Sequence, residues 1–87
     1  MQITREQIRE DVTNYLIIHL GIIDISEGYP MEHFKLTDFD LIDMEMELEE
    51  KYGIYPKEDD DMTISGMSES DTLIEIVNKL FEYFRTK

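Results

Sequence analysis

The sequence predicts a small all-α fold, a helical bundle of three main helices with a short fourth helix before the last. Apolar residues recur at helical spacing in three separate runs. Each run opens near a hydroxyl or carboxylate side chain suited to capping, and glycine closes the first two. At 87 residues, 41% of them hydrophobic and 33% charged, the chain has globular composition and room for one domain, residues 1–87.

The first helix is expected to begin at Thr4, with Gln7 reaching back in a T-x-x-Q capping box, and to run to about Leu20. Ile8, Val12, Tyr15, Leu16 and His19 recur on one side, while Arg5, Glu6, Arg9, Glu10 and Asp11 face water. Gly21 supplies the stop. From Ile22 to Leu36 a long connection follows, broken by Ser26, Gly28 and Pro30 and pinned by Ile23, Ile25, Met31 and Phe34.

The second helix is expected from Thr37 to Gly53, capped by Thr37 or Asp38. At about 100° per residue, Leu41, Met44, Leu48 and Tyr52 fall within about 80° of one another and form the inward face. Phe39, Ile42 and Met46 form a second apolar group, about 100–160° round from Leu41, ringed by Asp43, Glu49 and Glu50. One core needs only one stripe, so the second reads as a docking surface. Glu45 lies near the inner face, its aliphatic stem expected to snorkel outward.

Between Ile54 and Met67 a loop is expected, with a short helix near Asp59–Ile64. Ser68 or Ser70 then caps a last helix whose apolar face holds Leu73, Ile76, Val77, Leu80, Phe81 and Phe84, with Lys79, Arg85 and Lys87 toward its C-terminal end.

The formal net charge of −13 is concentrated. Residues 38–61 hold 11 acidic residues against Lys51 and Lys57. Such a field repels nucleic acid and anionic membranes and accelerates encounter with basic protein surfaces. It also maintains solubility in a small monomer. The absence of cysteine excludes disulfides, thiol nucleophiles and thiolate metal sites. With no long apolar N-terminal run and no window of about 18 apolar residues, a cytoplasmic location is expected.

Little in the chain points to catalysis. His19 and His33 stand alone, nothing separates one carboxylate from another as acid or base, and no phosphate-cradling glycine pattern is present. The chain is therefore not expected to be an enzyme. Asp61, Thr63, Ser65 and Gly66 match the first, third, fifth and sixth positions of a calcium loop. Thr72 stands where the bidentate Glu should be, and Ser68 where an apolar residue usually sits, so no metal site is expected.

Leu20-Gly21-Ile22 at the end of the first helix, and Asp40-Leu41-Ile42-Asp43 continuing through Met44, Met46, Leu48, Glu49, Glu50 and Tyr52-Gly53-Ile54, resemble the acyl carrier proteins and related phosphopantetheine-binding carrier domains. The resemblance covers about Thr4 to Leu80, and only the second-helix motif is specific. It implies an acyl-carrier-like bundle working in fatty acid or polyketide metabolism, whose second helix is recognised by partner enzymes. The partner-binding residues it implies are Phe39, Asp40, Ile42, Asp43, Met46, Glu49 and Glu50.

One departure changes that implication. Counting back from Tyr52, the serine that carriers modify falls on Asp38, in Thr37-Asp38-Phe39. A carboxylate cannot take phosphopantetheine through the usual phosphodiester, so no cofactor is expected. Asp38 either caps the helix or presents a negative charge where a carrier bears its phosphodiester. The expected function is docking to basic partner proteins without covalent loading. The alternatives are true acyl transport from an atypical hydroxyl such as Thr37, which points about 100° away from the usual site, or noncovalent binding of an acyl chain in a methionine-rich interior.

Overall fold

A computed structural model describes residues 3–23, 28–53 and 66–85. Within them the chain forms α1 (Arg5–Leu20), a 3₁₀ helix (Met31–Phe34), α2 (Asp38–Lys51) and α3 (Leu73–Arg85). The small all-α fold with three main helices is as the sequence predicts. The short helix expected at Asp59–Ile64 lies outside the described residues, as do Ile25 and most of the calcium-loop pattern.

Thr4 caps α1 as expected, its hydroxyl accepting from the Gln7 N–H at 3.1 Å. The reciprocal half of the box does not form. Gln7 instead donates its side-chain amide to both carboxylate oxygens of Asp11 at 3.2 Å. Gly21 adopts a left-handed conformation (φ 68°), which glycine reaches without the Cβ clash of other residues. The N–H groups of Gly21 and Ile22 then satisfy the carbonyls of Ile17 and Leu16.

The stretch expected as an irregular connection contains structure of its own. Met31 and Glu32 donate their N–H groups to the carbonyls of Asp71 and Glu69, both at 2.8 Å, and Pro30 bridges Thr72. These bonds tie the 3₁₀ helix to the segment that leads into α3. Met31 is fully buried beneath them, whereas Ile23, expected to pin the connection, is exposed.

Of the two caps expected for α2, Thr37 is the one used, and the helix ends at Lys51, two residues before Gly53, with Tyr52 as its C-cap. At α3 the cap is Thr72 rather than Ser68 or Ser70. Its hydroxyl accepts from the Glu75 N–H at 3.3 Å, while Glu75 accepts from the Thr72 N–H at 2.9 Å, a capping box that satisfies two donors at once. Asp71, held by Lys79 at 2.7 Å, accepts from the Ser68 N–H at 2.9 Å and stiffens the turn before it.

The core lies where the three helices meet. Ile8, Val12 and Leu16 of α1 join Leu41, Met44 and Leu48 of α2 and Leu73, Ile76, Val77, Leu80, Tyr83 and Phe84 of α3, with Met31, Leu36 and Met67 sealing the ends. Four carboxylates, Asp11, Glu45, Glu49 and Asp71, break the rule that charges stay outside. Glu45 is 3% exposed and does not snorkel outward. Asp11 is 6% exposed, where the sequence suggests a solvent-facing position.

Asp11 tolerates burial because it has partners from a distant part of the chain. Lys51 donates to it at 2.6 Å, the Tyr52 hydroxyl donates to its other oxygen, and Gln7 adds two bonds. Burial pushes the carboxyl pKa up, but the Lys51, Tyr52 and Gln7 hydrogen bonds together outweigh it and hold the value below normal. The same cluster raises the Tyr52 pKa, through burial first and then the bond to Asp11.

A candidate docking surface on the second helix

The surface starts with a rigid first turn. The Thr37 hydroxyl accepts from the Asp40 N–H at 3.4 Å, and Asp40 accepts from the Thr37 N–H at 2.9 Å and from its hydroxyl at 3.2 Å. Asp38 is the first helical residue, where its charge complements the helix dipole. Its carboxylate accepts from the Glu69 N–H at 3.2 Å, joining the start of α2 to the segment before α3. Asp38 is thus a link between two parts of the chain, with its side chain still at the surface.

Beyond the first turn, the outer face of α2 presents Phe39, 76% exposed, and Met46, 58% exposed. Seven residues apart, they lie within about 20° of each other on the wheel and about two turns apart along the axis. The exposed Asp43, Glu47 and Glu50 flank them on the side toward α1. Ile42 is half-buried and forms the shoulder of this strip rather than its centre.

Glu49 does not belong to the ring. It is 2% exposed, on the opposite edge of α2, and accepts from the Tyr83 hydroxyl of α3 at 2.5 Å. Burial, followed by the bond to Glu49 and the negative field of Glu49 and Glu45, pushes the Tyr83 pKa well above its ordinary value. The wheel alone leaves Glu49 at a boundary, and the packing of α3 decides its burial. Eight residues after Leu41, Glu49 falls about 80° round, between the inward arc and Ile42, and Glu45 about 40° round, just beyond the edge of that arc.

The ring gains a member absent from the sequence-based set. Glu47 faces α1, where the His19 Nε2 stands 3.3 Å from its carboxylate and the His19 ring stacks on Tyr15 with centroids 4.5 Å apart. Burial, then the charges of Asp43, Glu47 and Asp40, raise the Tyr15 pKa. A hydroxyl on α1 thus senses the acidic face of α2. His19 is not a core residue but a surface side chain at the α1–α2 seam.

No family model matches this chain, and neither a curated protein nor a solved structure matches it. Among the described residues, no group of three or more His, Asp or Glu side chains is placed to hold a metal ion. Nor is any described helix long and apolar enough to cross a membrane.

Chemically, the outer face of α2 can offer two large apolar side chains for burial and several carboxylates for charge pairing. The Thr37 hydroxyl is engaged with Asp40, and Asp38 can form no stable phosphodiester of the carrier type.

Proposed function

We propose that this chain is an acyl-carrier-like domain that docks to basic partner proteins through α2 and carries no covalent phosphopantetheine. The observation that carries this reading is the exposure of Phe39 and Met46 beside Asp43, Glu47 and Glu50. Protein interfaces take their affinity from a few large apolar anchors and their encounter rate from charge complementarity. An apolar strip beside carboxylates, on a chain of net charge −13, suits a partner with apolar contacts set among Arg and Lys.

The carrier-like part of the proposal comes from the sequence resemblance, and the absence of loading from Asp38 at the serine position. Engagement of Thr37 in a capping box argues against attachment one residue earlier, because a modified hydroxyl would no longer be free to donate to Asp40. Incubation with coenzyme A and a broad-specificity phosphopantetheinyl transferase, followed by intact-mass spectrometry, is expected to leave the mass unchanged. A gain of one phosphopantetheine group would overturn the unloaded reading, and peptide mapping would locate the hydroxyl that took it.

A further inference from the structure

An open cleft of about 380 Å³ separates α1 from α2, lined in part by Tyr15, Ile18, Glu47, Leu48, Glu50 and Lys51. It sits at the lower end of the roughly 300–1,000 Å³ typical of small-molecule pockets. We propose that this cleft binds an aliphatic cation, a guanidinium or ammonium group carried on a short apolar stem. The cleft shares Glu47 and Glu50 with the rim of the Phe39–Met46 strip, but its apolar lining, Ile18 and Leu48, lies apart from that strip, so Ile18→Ser tests the cleft alone and Phe39→Ser with Met46→Ser the strip alone.

The stem is implied by Ile18 and Leu48. Ile18 is 75% exposed on a helix whose core stripe is already filled by Ile8, Val12 and Leu16, so folding does not account for it. An alkyl chain lying against Ile18 and the edge of Leu48 would remove apolar surface from water. The head group is implied by Glu47 and Glu50. Residues three apart on a helix bring their Cβ atoms to about 5–6 Å, close enough for two carboxylates to share one guanidinium. Glu50 makes no side-chain ion pair among the described residues, and Glu47 makes one, to His19.

Lys51 leaves the negative rim uncompensated. It points instead to the buried Asp11, 2.6 Å away. The stacked rings of Tyr15 and His19 add an aromatic wall, a surface on which guanidinium groups pack well. An anion would meet Glu47 and Glu50, and a bare metal ion would make no use of Ile18 or Leu48. A cation with a stem satisfies both halves of the lining.

That chemistry has two sources, a free alkyl cation or the arginine or lysine side chain of a protein. Titration of the full chain, followed by amide chemical shifts, separates them, with agmatine as one probe, N-acetyl-arginine methylamide as the second and guanidinium chloride as the stemless control. Saturable shifts at Tyr15, Ile18 and Leu48 are expected. Glu47→Gln with Glu50→Gln should weaken them about tenfold, and Ile18→Ser should weaken them as well. Glu6→Gln with Glu32→Gln, which removes the same charge from exposed positions that do not line the cleft, should leave them unchanged.

Preference for capped arginine would support a protein side chain as the ligand, and preference for agmatine a free amine. Non-saturating shifts with both probes would overturn the proposal. So would equal binding of guanidinium alone, or equal weakening by the distant charge variants.

Discussion

α3 and α2 solve the same packing problem in opposite ways. In α3 the wheel and the core largely agree, with Leu73, Ile76, Val77, Leu80, Tyr83 and Phe84 buried and Phe81 half-buried, although Ile74 is 51% exposed. In α2 the pattern is partly inverted, with Glu45 and Glu49 inside and Phe39 and Met46 outside. Burying a carboxylate and exposing a phenylalanine both oppose folding. The first is offset by specific hydrogen bonding, as between Glu49 and Tyr83. The second has no offset within the described residues, and a strip that folding does not use is free to serve binding.

The contrast can be broken first at α3. Leu80 is fully buried at the centre of the core. Leu80→Ala should cost about 2–5 kcal/mol in urea unfolding, because the packed neighbours only partly fill the space. A loss comparable to that of a surface change would place the core elsewhere.

The next largest effect belongs to Asp11, a buried carboxylate that holds α1 to the C-terminal turn of α2. Asp11→Ala should cost about 1–3 kcal/mol, tempered because the half-exposed Lys51 recovers water. Its pH signature has a definite sign. The folded carboxyl pKa lies below the ordinary value of 3.8, so the stability it supplies is complete above that value and lost as pH falls through the folded one. The variant should therefore show a shallower acid limb in its stability profile.

Tyr83→Phe removes the one α3 hydroxyl that reaches Glu49 and should cost about 1 kcal/mol. Because the Tyr83 pKa is raised in the folded state, its contribution is complete below about pH 10, the ordinary tyrosine value, and is lost as pH rises further. Alkaline unfolding of the variant should begin with less pH dependence than that of the native chain. An unchanged alkaline limb would show that Glu49 is held by other contacts.

How far these features are legible in the sequence depends on how local their causes are. The three helices, the Thr4 cap, the Gly21 stop and the inward face of α2 follow from spacings of three and four residues, and the structure repeats them, while on α3 it adds Tyr83 to the expected core face and leaves Phe81 half-buried at its edge. The Thr72–Glu75 box is equally local, though Ser68 and Ser70 nearby offer competing hydroxyls. Asp11 was not legible, because its burial depends on Lys51 and Tyr52, 40 and 41 residues later. The 3₁₀ helix likewise depends on carbonyls of Glu69 and Asp71. On the candidate surface, Phe39 and Met46 were readable from the wheel, whereas Glu47 became a rim residue only once α1 lay beside it.

The smallest stability effect belongs to the outer strip. Phe39→Ser with Met46→Ser should leave the urea midpoint within about 0.5 kcal/mol of the native chain, as expected for surface positions. These two residues are cleaner probes than Ile42, which is half-buried and would confound folding with binding.

The same double variant gives the most direct test of α2 as a docking helix, by affinity capture from lysate of the source cells beside the native chain. Docking through the strip predicts a protein retained by the native chain, released by high salt and missing from the variant, since removal of apolar anchors acts on complex lifetime. Recovery of the same proteins in equal amount on both would contradict it and move the interaction away from the outer face of α2.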